Sequence, residues 1–97
     1  MSDVTERPTQ EVIEELGLPT GSEFLGYVIY LPIEDEFLAF LKETSAVVKR
    51  GFVKTPEAAK RYHSYKRALR DAGKCKQKAE PNLLFDIGTQ YAAVPVN

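Results

Sequence analysis

The chain has 97 residues, 43% of them hydrophobic and 28% charged, with a formal net charge of −1. That length suits one domain, and that composition excludes a chain disordered throughout. A single cysteine, Cys75, excludes an internal disulfide, and no apolar run approaches the roughly 20 residues of a membrane-spanning helix.

A cytoplasmic protein that does not enter a membrane is therefore expected. A secreted domain this small normally carries several cysteines, and the opening MSDVTERPTQEV has no apolar core of the kind a signal peptide needs.

Residues 1–8 are expected to form a flexible N-terminus, because nothing in them could anchor to a core. Residues 9–97 are read as a single α+β domain. A short helix over 9–16 has acids in its first turns and Gly17 and Pro19 as its stop. EFLGYVIYL (23–31) is rich in aromatic and β-branched residues and reads as a strand apolar on both faces. Beyond Pro32, the spacing of Ile33, Phe37, Leu41, Thr44 and Val48 predicts a helix over about 33–46, with Glu34, Asp35 and Glu36 at its N-terminus.

Thr55-Pro56 is a suitable helix start, which predicts a second long helix over 56–72 ending at Gly73. A polar connector, KCKQKAEPN, leads to NLLFDIGTQYAAVPV. This reads as a hairpin turning near Gly88, with Pro95 confining its last strand to an edge. The expected order is α-β-α-α-β-β, with helices packed on a small antiparallel sheet.

Net charge conceals a strong asymmetry. Residues 1–48 hold ten acids and two bases, whereas residues 49–78 hold eleven bases and two acids. Five of those bases and the only histidine fall within KRYHSYKRALR, residues 60–70. On a helix spanning 56–72, Ala58, Tyr62, Tyr65, Leu69 and Ala72 would make a core-facing stripe. Lys60, His63, Lys66, Arg67 and Arg70 would form a cationic band opposite, extended by Lys74, Lys76 and Lys78.

Such a band predicts an anionic partner. The expected function is that of a non-enzymatic accessory, adaptor or inhibitor subunit, docking on a larger protein or nucleoprotein assembly with an acidic surface. Tyr27, Tyr30 and the tail YAAVPV are candidate apolar anchors, and the tail could add a strand to a partner's sheet. The alternative is a nucleic-acid-binding regulator that sets the same cations against phosphates. The element order resembles that of a winged helix, with 56–72 in the place of the recognition helix; the overall acidity opposes this reading.

Catalytic and metal chemistry are poorly served. One cysteine and one histidine fall short of the four ligands of a structural zinc. Cys75 could be activated only by Lys74 and Lys76 beside it or by His63. No catalytic residue, metal ligand or cofactor is assigned.

Overall fold

Residues 23–31 place apolar side chains on both faces, and a strand of that kind belongs in the middle of a sheet. In the computed structural model, which describes residues 9–96, they form β1 (Glu23–Leu31), the central strand of five. The others are β2 (Glu36–Glu43), β3 (Val48–Val53), β4 (Glu80–Asp86) and β5 (Tyr91–Pro95). All neighbours pair antiparallel, in the spatial order β3-β2-β1-β4-β5. Two helices, α1 (Thr9–Leu16) and α2 (Tyr65–Ala72), complete the fold. The expectation for residues 1–8 lies outside the described residues.

The predicted order α-β-α-α-β-β is overturned: the fold is mostly sheet. The segment expected as a helix over 33–46 is a turn and then β2, and residues 47–55, left between the two predicted helices, supply β3. Helical spacing misled here because Ile33 is 77% exposed and Val48 lies at the surface, so the supposed stripe is no core face. Phe37 and Leu38 are both buried, and they pack in different clusters, as adjacent residues on a strand do. A four-residue link closes the β1–β2 hairpin. Asp35 takes φ 55° there, its N–H bonds to the Leu31 carbonyl at 2.8 Å, and its carboxylate accepts from the Tyr30 hydroxyl at 2.7 Å.

The second long helix is also replaced. Pro56–Ala58 form one 3-10 turn, the chain then runs extended, and α2 starts only after Ser64. Thr55 makes no side-chain cap, whereas the Ser64 hydroxyl accepts from the Arg67 N–H at 3.3 Å. This breaks the helix-helix pair on which a winged-helix arrangement depends. Three elements stand as expected: α1, β1 and the β4–β5 hairpin, which turns at Gly88 (φ 98°) and leaves Pro95 on an edge strand.

Two layers of side chains flank the sheet. Tyr27, Ile29 and Leu38 pack with Tyr62, Ala68 and Ala72, while Ile13 of α1 packs on Phe85. Phe24 and Leu83 join both groups, so the two helices share one face. On the other face Val28, Phe37 and Leu84 pack with Ala59. Complete burial of an aliphatic side chain such as Ile29 or Leu38 contributes about 1.5–3 kcal/mol.

β2 bonds to β1 only near Tyr30 and Leu31 and then diverges towards β3. Residues 60–62 fill the resulting fork. The Lys60 N–H donates to the Leu38 carbonyl at 2.9 Å, and Tyr62 bridges Tyr27. Between Ala59, in the core of one face, and Tyr62, in the core of the other, the chain crosses the plane of the sheet. This crossing sets where α2 and its cations lie.

Candidate interaction surface

A helix of eight residues against a sheet buries one narrow stripe and exposes the rest. In α2 the buried positions are Ala68, Asp71 and Ala72, with Tyr65 half-buried beside them. Small alanines let the helix backbone approach the sheet closely. The expected stripe is thus rotated: Tyr62 and Ala72 are buried as predicted, but Ala58 and Leu69 are exposed.

Asp71 is held by a buried network. The Tyr62 hydroxyl donates to its Oδ2 at 2.7 Å, and Arg70 Nε donates to its Oδ1 at 3.3 Å. Burial alone would raise the Asp71 pKa, but the bonds from Tyr62 and Arg70 outweigh it and hold the carboxyl below its ordinary range. Burial, and then the bond to Asp71, push the Tyr62 phenol well above its ordinary value. The network clamps α2 to the extended segment that precedes it.

The predicted cations do not form one uniform band. Lys66, Arg67 and Arg70 stand exposed on α2, with Leu69 among them at 50% exposure. Residues three and four apart on a helix are surface neighbours, so Lys66, Leu69 and Arg70 form one patch, and Arg67 adjoins Arg70. Among the described residues no carboxylate pairs with Lys66 or Arg67. His63, Lys76 and Lys78 are exposed as well.

Lys60 and Lys74 are engaged elsewhere. The Lys60 ammonium lies 5.4 Å from the centre of the Tyr62 ring, and Lys74 pairs with Glu43 on β2. The Lys74 carbonyl also accepts from Arg50 Nε at 2.9 Å, tying the end of α2 to β3. The acidic first half of the chain therefore neutralises the edge of the cationic region through Glu43 and leaves its centre open.

Tyr27, one of the expected anchors, is buried and packs in the core, so it is not available to a partner. Tyr30 is half-buried and bonded to Asp35. The YAAVPV tail pairs with β4 through Tyr91–Pro95. Burial pushes the Cys75 thiol pKa upward; Arg50 opposes the rise without cancelling it, and Asp71 adds a lesser contribution to it. This is opposite to the activation that flanking lysines suggest. Among the described residues no group of three or more His, Cys, Asp or Glu side chains could hold a metal ion. Nor is any described helix long and apolar enough to cross a membrane.

Sequence reasoning missed Leu69 as a surface residue because it assigned the helix a frame set by Tyr62, which is not in the helix. It also missed an exposed group on the β2–β3 hairpin: Phe40, Val47 and Val48, with Lys42 and Lys49 paired across the strands. Comparison with models of protein families, with curated proteins and with solved structures gives no match to this chain.

Proposed function

We propose that this protein is a non-enzymatic accessory, adaptor or inhibitor subunit of the cytoplasm that docks on an acidic surface of a larger protein. The contact is the outer face of α2, with Lys66, Arg67 and Arg70 around Leu69 and with His63, Lys76 and Lys78 extending it. Lys60 and Lys74 lie at its border, the first over the Tyr62 ring and the second paired with Glu43.

One observation carries this reading. A leucine at 50% exposure sits beside Lys66 and Arg67, which pair with no carboxylate among the described residues, on a helix whose other side is anchored by the Tyr62–Asp71 bond. Charge attracts and orients an acidic partner but contributes little lasting affinity when solvated; an apolar side chain buried at the centre of the contact supplies that. Contact with phosphates alone would have no use for Leu69. The lone Cys75 and its raised pKa agree with a reducing compartment and an unreactive thiol.

The test compares proteins captured by the wild type with those captured by Lys66→Glu/Arg67→Glu and by Leu69→Ser. A partner with an acidic surface, lost with both variants while circular dichroism stays unchanged, is the expected result. Labelled duplex supplies the counter-test. Binding that weakens steeply with salt and is indifferent to Leu69→Ser would overturn the reading in favour of nucleic acid.

A further inference from the structure

The two outer strands of this sheet are protected unequally. In β5, the Ile87 N–H bonds to the Gln90 carbonyl, so the backbone groups of Gln90, Ala92 and Val94 face β4 while those of Tyr91, Ala93 and Pro95 face outward. The outward Tyr91 N–H donates to Glu57 Oε2 at 3.2 Å, and Pro95 has no N–H to offer. Only Ala93 keeps an outward donor. An edge closed by a carboxylate and a proline is a poor template for another strand.

β3 has no such closure. The Thr44 N–H bonds to the Val47 carbonyl, so along β3 the backbone groups of Val48, Arg50 and Phe52 point away from β2. Among the described residues nothing bonds their N–H groups. The register break in β2, between Leu38 and Phe40, leaves β3 itself regular. The hydrophobic side chains Val47, Val48 and Phe40 stand exposed alongside, the Phe40 ring lying over Gly51 where a Cβ would clash with it.

Charge narrows what such an edge accepts. Lys42 and Lys49 are cross-strand partners, a like-charge pair that costs stability, and among the described residues no carboxylate relieves it. Arg50 adds positive charge on the other face, where its Nε bonds the Lys74 carbonyl. A second copy pairing through its own β3 would bring two such sets together. An acidic strand would relieve both.

We propose that β3 is a strand-addition site for an extended acidic segment of a partner protein, bonded to the backbone of Val48, Arg50 and Phe52. Side chains alternate across a strand, and neighbouring strands lie about 4.8 Å apart. A residue opposite Lys49 would lie on the face of the Lys42–Lys49 pair, where a carboxylate is favoured. The residue opposite Gly51 would lie on the same face beside Phe40, where an apolar side chain is favoured. The recognised segment therefore alternates acidic and apolar residues on one face. This goes beyond the role proposed for α2 and stands without it.

The experiment titrates the protein with a short synthetic peptide containing both valine and glutamate and reads amide hydrogen exchange residue by residue. Exchange at Val48, Arg50 and Phe52 slows about tenfold or more, while Ala93 on the protected edge is unchanged. A peptide with lysine in place of glutamate leaves all four unchanged. Val48→Pro, which removes an outward N–H unused by β2, weakens the peptide about fivefold, the equivalent of one interstrand hydrogen bond. Lys49→Glu reverses the preference between the two peptides and serves if the proline variant does not fold. Lys66→Glu/Arg70→Glu leaves peptide binding intact, which separates this site from α2. Unchanged exchange at the three amides with the glutamate peptide, or equal protection by the lysine peptide, would overturn the proposal. So would slowing that grows with protein concentration alone, which assigns the edge to a second copy.

Discussion

Tyr27 and Tyr62 exchange both backbone hydrogen bonds, each 2.8 Å long, across the gap that β2 leaves beside β1. A single residue from outside the strands thus completes the pairing of the central strand, and the chain between the two faces of the sheet is held at that point. Gly26, next to Tyr27, has φ 126°, and a Cβ there would lie 2.5 Å from the Tyr62 carbonyl oxygen.

Gly26→Ala is consequently expected to destabilise the protein by about 2–4 kcal/mol, from backbone strain and the clash together. Urea unfolding measures this. Gly17→Ala is the control: it has a positive φ but open space around it, so it should lose only the conformational part, about 1 kcal/mol.

Stability should also fall in alkali in a way that one phenol explains. The Tyr62 pKa is raised above its ordinary value of 10.0, because burial and the Asp71 bond favour the protonated form. A group whose folded pKa is raised contributes its full stability below the unfolded pKa and loses it as pH rises towards the folded one. Thermal melts should therefore decline above about pH 10. Tyr62→Phe should flatten that decline and cost about 1–3 kcal/mol at neutral pH, since Asp71 loses a donor.

The Asp71 carboxyl has the opposite sign. Its pKa is lowered in the fold by Tyr62 and Arg70 despite burial, so its contribution is complete above the ordinary carboxylate range and is lost only as pH falls through the lowered value. In Asp71→Asn, acid unfolding should begin from a lower starting stability and have a shallower slope.

Cys75 should react slowly. With its thiol pKa raised by burial, alkylation by iodoacetamide at neutral pH should be slower than that of a small free thiol and should accelerate in mild denaturant. A rate above the free-thiol value would show that Lys74 and Lys76 govern the site instead.

Asn82 is 3% exposed on β4, opposite Val28 and Pro95, and its Oδ1 accepts no hydrogen bond among the described residues. A buried acceptor without a donor is costly, so Asn82→Val should raise stability by about 1 kcal/mol in chemical denaturation. A comparable loss would show that the amide is satisfied.

The elements legible in the chain were those whose signals are local. Acids, Gly17 and Pro19 mark α1; β-branched and aromatic residues crowd β1; Gly88 and Pro95 specify a turn and an edge. β2 was illegible because a register break between Leu38 and Phe40 disrupts its alternation and makes a strand imitate helical spacing. The early part of 56–72 was illegible for another reason: Tyr62 is drawn into pairing with a residue 35 positions earlier, and no nearby residue signals it.

Clustering of positive charge in residues 49–78, and the need for some of it to face water, followed from composition alone. Which cations stand free was settled by packing: Glu43 reaches Lys74, Tyr62 sits under Lys60, and α2 turns Lys66 and Arg67 outward around Leu69. Charge and turn propensity belong to single residues and their immediate neighbours, and so they can be read along the chain. Pairing across the β1–β2 fork, and the open backbone of β3, depend on contacts between distant segments, which exist only once the sheet has formed.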